Sequence, residues 1–394
     1  MTPQQIPPLP DVARHVAQWC QQVWEQHTTL VLVAAQLAVF VAFGWLRARQ
    51  LIRDSWHAHA RLVEVLAPAA LDFPTTLAGG RRVWTDLMGI AHPWRRRLLG
   101  GQPHLVLEYW LAPNEIIVRV WIPGPVPPGR VENAIRAAWP GALITHTTEG
   151  PSTLDAAGTV TGGTVRPERA EHLPLRVPDA RTDTDPLRSL ESLATALRPG
   201  ESVVVQVLAR PAVGRRLRRY RATVRRVHTG RSARTSIITS LIAGLVREML
   251  DLVIGSRPHH ATTSTEGRWR PTDPQQAEEL REVRAKATLP LWEVALRYAA
   301  AVPGSGRESR DRARGVADGV FALFALFAGR NALARHRLRH PATVVAGRSL
   351  RRGALLSVAE LAALAHLPTR TTELSGNRTR PVPAPHQVTG HPHH

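Results

Sequence analysis

A chain of 394 residues, 43% of them apolar, has material for two or three domains and enough apolar surface to bury their cores, which excludes a disordered polyelectrolyte. It carries 51 basic against 31 acidic side chains, a formal net charge of +20. Among the basic residues only Lys286 is a lysine, a skew that a GC-rich genome produces without functional demand, so the charge is discounted as a sign of function.

The lone lysine excludes one class. A Walker A loop needs a lysine after glycine, in the frame G-x-x-x-x-G-K-[ST], to reach the β- and γ-phosphates. Lys286 follows Arg281-Glu282-Val283-Arg284-Ala285, without glycine, so the polypeptide is not a standard P-loop NTPase by itself. The single cysteine, Cys20, excludes an intramolecular disulfide and a cysteine-based zinc knuckle.

From the N-terminus, residues 28–46 form an uncharged run that reaches about 28 Å as a helix, the thickness of a hydrocarbon core. Trp24 and Trp45 flank it, and Arg47, Arg49 and Arg53 follow, whereas the preceding residues 1–27 balance Asp11 and Glu25 against Arg14. Positive-inside asymmetry predicts a single-pass inner-membrane protein, with a short extracytoplasmic N-terminus and a cytoplasmic bulk. A cleaved signal peptide fits poorly, because the charge lies on the wrong side and no small-x-small site follows.

Residues 47–146 are expected to form a first α+β unit. A helix continues from the membrane to about residue 66, ahead of Pro68. Strands at 104–111 and 115–122 are joined by Ala112-Pro113-Asn114 as a hairpin, a helix spans 130–139, and 142–145 returns as a strand. Such a β-β-α-β order resembles part of a ferredoxin-like sandwich. Residues 147–185, rich in Thr, Gly, Pro and Asp, are expected to be a linker.

A second α+β unit is expected over 186–368. Asp185-Pro186 supplies a cap and a first-turn proline, and Leu187, Leu190, Leu193 and Leu197 form the stripe of the helix that follows. Residues 202–209 and 289–301 read as buried strands, and 307–327 as a helix. The apolar run 235–254, interrupted by Arg247, Glu248 and Asp251, reads as a core or interfacial helix. Strands leading into helices through Pro123-Gly124 and Pro303-Gly304 hint at a duplication. Ser357-Val358-Ala359-Glu360 is a capping box opening a last helix before Pro368, and the Pro-rich tail 369–394 is too polar for a core.

The most informative local feature is the arginine-rich stretch 210–234. Val213, Leu217, Tyr220, Val224 and Val227 recur at steps of four and three, predicting one apolar helix face, with Pro211 in the first turn and Gly230 as the stop. Arg215, Arg216, Arg218, Arg219, Arg221, Arg225 and Arg226 occupy the remaining surface. They are candidate contacts for anionic lipid or nucleic-acid phosphates, against the plainer reading of a solvated outer face. Gly304-Ser305-Gly306 reads as a connecting turn, because Glu308 opposes an anion and no Lys-Ser/Thr pair follows.

Histidines at 57 and 59, 259 and 260, and 391, 393 and 394 have no carboxylate or cysteine at ligand spacing. Glu278, Glu279 and Glu282 beside Arg281 and Arg284 read as a solvated, salt-bridged helix face. No catalytic, cofactor-binding or metal-ligating residue is predicted, and no cofactor.

Several motifs occur in a recognisable order: Asp185-Pro186-Leu187-Arg188, the stretch from Arg198-Pro199-Gly200-Glu201 to Pro211, and Trp292-Glu293-Val294-Ala295-Leu296-Arg297. Phe321 to Phe327, Asn331-Ala332-Leu333 and Ser357 to Pro368 complete the series. Across residues 28–368 this order is similar to the membrane-anchored amino-terminal region of actinobacterial conjugative-transfer ATPases, of the type IV secretion and coupling-protein group. In that family a segment like 359–368 precedes a motor domain with Walker motifs; here the chain stops at His394, so no ATP-binding residue carries over. The resemblance implies a non-catalytic, membrane-anchored module of a translocation apparatus. Its expected partners are the membrane, a P-loop ATPase subunit in trans, DNA, and further copies of the chain. The alternative is an autonomous membrane-tethered nucleic-acid-binding protein.

Overall fold

The computed structural model describes residues 9–68, 71–147, 154, 158–228 and 274–369. It separates into two compact units, one of Met1–His59 with His92–Gly101 and one of Ala60–Ala91 with Gln102–His394.

The first unit is built on one continuous helix, α1 (Leu9–Ala58). Its part from Leu32 to Ala58 is long and apolar enough to cross a membrane, and none of that apolar window is buried. The helix ends eight residues short of the expected boundary. Arg61–Leu66 is instead strand β1, because Val63 and Val65, at alternate positions, point into the core and the strand pairs on both sides within a sheet. A short helix, α3 (Trp94–Leu99), completes this unit.

The second unit contains the mixed α+β fold expected. Its strands are β1, β2 (Leu105–Ala112), β3 (Glu115–Ile122), β4 (Leu143–Thr147), β5 (Thr159–Pro167), β6 (Ser202–Pro211), β7 (Leu291–Val302), β8 (Leu333–Arg337) and β9 (Ala354–Ser357). They form one nine-stranded sheet in the order β4-β1-β3-β2-β6-β7-β5-β8, with β9 on the N-terminal end of β7 and every pairing antiparallel. Its helices include α2 (Phe73–Asp86), α4 (Arg130–Ala138), α5 (Arg188–Ala196), α6 (Arg215–His228), α7 (Pro274–Thr288), α8 (Arg307–Leu323), α9 (Pro341–Ala346) and α10 (Val358–Leu364).

The strand order contains a repeat. β1-α2-β2-β3-α4-β4 sits in the spatial order 4-1-3-2 of a ferredoxin-like unit, and β5-α5-β6-β7-α8-β8 sits in the same order. The two units meet through their second strands, β2 and β6, in register from Leu105↔Ala209 to Leu111↔Val203. The Pro-Gly sequences at 123 and 303 follow β3 and β7, equivalent strands of the two repeats. Residues 147–185 are therefore not simply a linker: β5 within them lies between β7 and β8. Its two glycines and three threonines concealed it from composition.

Local chemistry explains most element ends. Asn114 takes a φ of 57° at the tight β2–β3 hairpin. Asp72 caps α2 by accepting from the Thr75 N–H at 3.0 Å. Ser357 and Glu360 form the expected capping box. Asp185 accepts from the Leu187 N–H, but α5 itself starts at Arg188, after a tight turn. Pro211 ends β6 instead of opening the basic helix, and Gly214, with a φ of 66°, turns the chain into α6 at Arg215.

One face of the sheet carries a continuous apolar core, in which Leu105, Tyr109, Val203 and Leu296 from the strands meet Trp84, Ile135, Leu190, Val320 and Leu361 from the helices. The opposite face is divided. Val106, Trp121 and Leu208 pack beneath Leu350, and Trp110, Val204 and Ala299 beneath Val345. Between them the strand register aligns Thr145, Glu64, Arg119, Glu108, Gln206, Arg297, Thr164 and His336, a polar row from β4 to β8.

Glu108 lies at the middle of that row, fully buried. It accepts from Arg348 Nε at 2.7 Å and Nη2 at 2.9 Å, and from Gln206 Nε2 at 2.7 Å and Trp110 Nε1 at 3.2 Å. Gln206 also donates to the Val345 carbonyl at 3.0 Å. Breaking a buried pair from one side costs about 3–5 kcal/mol, because the remaining charge stays uncompensated. Glu108→Ala is expected to lose that much stability in urea titrations of the detergent-solubilised chain; Glu64→Ala, whose carboxylate is partly solvated, should lose under about 1 kcal/mol. Equal losses would show that the row is not ranked by burial.

Candidate functional site

In the first repeat, Pro113 and Asn114 suffice to connect the second and third strands. In the second repeat residues 212–290 fill the equivalent position, and this insertion carries α6 and α7. The basic helix is thus mounted where a hairpin turn would otherwise be.

The predicted apolar stripe faces inward. Tyr220 and Val224 are buried with Val283 of α7, Leu291 and Leu355, and Leu217 and Ala287 pack against them. Val213 precedes the helix, and Val227 is half-buried near its end. Arg215, Arg218, Arg219, Arg221, Arg225 and Arg226 are exposed, and α6 itself carries no carboxylate.

Arg216 departs from the expected surface set. It is half-buried, ion-paired with Glu171 at 2.5 Å, and donates to the Gly353 carbonyl at 3.2 Å. Its role is to fasten α6 to the β8–β9 side of the domain. The remainder of the arginine-rich stretch, 229–234, and the apolar run 235–254 lie outside the described residues, as do the histidines at 259, 260, 391, 393 and 394.

More arginines gather beyond Gly353. A groove of about 250 Å³ is lined by Thr164, Arg166, Glu171, Arg352 and Ala354, among others. Among the described residues, Arg166, Arg351 and Arg352 have no carboxylate within ion-pair distance. Burial, and then the charges of Arg166 and Arg351, hold the nearby Arg297 below the usual guanidinium range. Positive potential is therefore concentrated where α6 joins the sheet, an arrangement that attracts phosphate oxygens. Sequence reasoning reached the α6 arginines through their periodicity but missed Arg166, Arg351 and Arg352, which come from separate segments.

Two buried ionic clusters were also missed. The chain's one lysine, Lys286, pairs with Glu360 at 3.0 Å, both nearly inaccessible, and also donates to the Leu173 carbonyl at 3.3 Å. Glu360 additionally accepts from the Leu175 and Ser357 N–H groups, so the pair ties α7 to α10. Asp185 meets His366 Nε2 at 3.0 Å, and the other ring nitrogen lies 2.8 Å from the Ala362 carbonyl. Asp185 also accepts from the Thr369 N–H and hydroxyl, both at 2.9 Å, while Tyr109 donates to the His366 carbonyl at 2.7 Å. Both pairs are buried, and the Asp185–His366 cluster locks the segment 365–369 into the core.

The expected salt-bridged face of α7 is partly redirected. Glu278 and Glu282 both pair with Arg330, from outside the helix. Gly304-Ser305-Gly306 is the turn from β7 into α8: Gly304 takes a φ of 84°, and the Ser309 hydroxyl donates to the Pro303 carbonyl.

Fold and surface define a class: an α+β domain of two fused ferredoxin-like repeats with a basic helical insertion in the second, preceded by a long apolar helix. The chain belongs to the DUF8128 family, a domain of unknown function whose family model matches residues 79–379. No curated protein matches the chain.

Desolvation tends to raise the Asp185 carboxyl, but the His366 hydrogen bond and charge, with the Thr369 and Leu187 N–H groups, outweigh it and hold the carboxyl below the usual value. A carboxyl depressed in the folded state contributes stability that is complete above about pH 5 and is lost as pH falls through the folded value. Asp185→Asn should therefore be most destabilising near neutrality, and its deficit in urea midpoint should shrink below about pH 4. A deficit independent of pH would remove the assigned charge effect.

Proposed function

We propose that this chain is a non-catalytic, membrane-anchored module of a conjugative DNA-transfer or type IV secretion-like apparatus, working with a P-loop ATPase supplied in trans. In this reading α1 crosses the inner membrane once, its N-terminus outside, and the second unit lies in the cytoplasm. The exposed length of α1, with Trp45 at its basic end and Arg47, Arg49 and Arg53 following, supports that orientation. The motif order over 185–368, similar to the anchored region of conjugative ATPases, supports the assignment to a transfer machine.

The observation that carries the reading is the outward arginine face of α6, fixed by a buried apolar stripe and by Arg216. A hairpin insertion that turns Arg215, Arg218, Arg219, Arg221 and Arg225 outward, beside Arg166 and Arg352, suits a passing nucleic-acid backbone. Phosphate recognition of this kind requires no catalytic group in the chain.

A second reading, an autonomous membrane-tethered nucleic-acid-binding protein, draws on the same arginines, and the two part over the ATPase. Binding of fluorescein-labelled DNA to the solubilised chain should weaken linearly with the logarithm of salt. Arg215, Arg218, Arg219 and Arg221→Ala together should flatten that slope by about 3–4, near 0.9 for each phosphate that is no longer neutralised. In mild detergent the transfer module should co-purify with a P-loop ATPase from its native membranes. DNA binding without an ATPase selects the second reading, and failure of both overturns the two together.

A further inference from the structure

We propose that α3 is a lipid-surface element: Trp94 and Leu98 seat in the headgroup layer of the leaflet from which α1 emerges, and Arg95, Arg96 and Arg97 hold anionic lipid headgroups. This rests on the reading of α1 as a membrane span, and the test below separates the two.

Trp94 and Leu98 are 60% and 56% exposed, although they are the largest apolar side chains described on their helix. Four positions apart, they share one helical face. Arg95 and Arg96 are exposed and Arg97 half-buried, with the Arg95 guanidinium 5.5 Å from the centre of the Trp94 ring. Residues 92–101 contain no carboxylate. An exposed aromatic and a leucine interleaved with arginines are the composition of a segment lying in a membrane interface.

The mounting of α3 identifies the occupant. Gly100, at its C-terminal end, lies against Trp56 and Ile52 of α1, so closely that a Cβ there would come within 2.8 Å of the Trp56 ring. His92, just before α3, meets the same indole edge-on at 5.9 Å. Both ends of the short helix are thus held to α1. Ile52 lies about 9 Å beyond Leu46 along the α1 axis, and Trp56 about 15 Å, so α3 is mounted at the outer edge of a headgroup layer roughly 7 Å deep, which side chains reaching about 5–6 Å from a helix axis can enter. Residues 47–58 of α1 carry Arg47, Arg49 and Arg53 against the single acid Asp54. The Arg49 guanidinium sits 5.0 Å over the Trp45 ring, the same aromatic–arginine pairing at the end of the apolar run. The surface is therefore continuous with the proposed membrane span and opposite in charge to an anionic leaflet.

The single native cysteine makes the test direct. In a Cys20→Ser background, Leu98→Cys carries an environment-sensitive fluorophore, and Phe40→Cys, within the apolar run, carries it as the control for the span. Each full-length protein is reconstituted in vesicles of phosphatidylcholine with or without phosphatidylglycerol, using lipids brominated at shallow or deep acyl positions. Expected is quenching of the 98 label by shallow bromines, stronger with phosphatidylglycerol. Arg95, Arg96 and Arg97→Ser should shift the balance between lipid-seated and water-exposed label by roughly a hundredfold toward water. If the 40 label is quenched by deep bromines while the 98 label responds only to aqueous iodide, or to neither quencher, α3 faces water or protein and this inference is overturned while the span stands. If the 40 label escapes lipid quenching, the span reading falls and takes this inference with it.

Discussion

The antiparallel pairing of β2 with β6 is the joint on which the domain depends. Without it there would be two small sheets, of four strands and five, each exposing a long apolar edge; with it, one sheet and one core extend through both repeats. The joint is polar at its centre. Glu108 and Gln206 stand opposite each other across it, and both side chains reach the segment that contains Val345 and Arg348. A buried carboxylate in the middle of a sheet is tolerated only when its lone pairs are filled, and here arginine, glutamine and tryptophan donors fill them. The same bonds hold α9 and Leu350 over the second face, so a single cluster joins the repeats and fastens their cover.

That joint also accounts for where variation is permitted. The central strands are committed on both faces and both edges, whereas the β6–β7 connection lies at a sheet end and accepts a long insertion without disturbing register. The insertion is not loosely attached. Tyr220 and Val224 bury against α7 and the β7–β9 corner, and Arg216 holds Glu171 and the Gly353 carbonyl. Its outward arginines are therefore presented at fixed positions relative to those on the sheet.

Much of this was legible where the governing interactions are local. Apolar, β-rich runs identified β2, β3, β6 and β7, and the three-four spacing of Leu217, Tyr220 and Val224 identified the buried side of α6. The capping box at Ser357 was readable because both partners lie within one helical turn. What stayed hidden was decided at long range. β1 continues from a helix without a glycine or proline between, and only pairing with β3 and β4 makes it a strand. β5 has a loop-like composition and is held by its neighbours. Glu108 and Arg348, or Asp185 and His366, are far apart in sequence and carry no spacing rule; Arg216 looks like its neighbours on α6 until Glu171 is placed beside it. The duplication is visible as matching strand order, not as matching residues.

The closing of the core by residues 365–369 has a consequence for the order in which the protein can be made. Thr76 and Trp84 donate to the carbonyls of Leu367 and Ala365, and Asp185 receives Thr369, so early helices are completed by the far end of the domain. During translation the first repeat leaves the ribosome after α1, with its β2 edge, apolar on nearly every residue, still waiting for β6. The half-made chain thus displays an open strand edge for as long as it takes to synthesise the residues up to 211. Nascent copies crowded together would be able to pair with each other through that edge. Spacing between ribosomes, or a chaperone that shields an unpaired strand, would therefore bear on the yield of this protein.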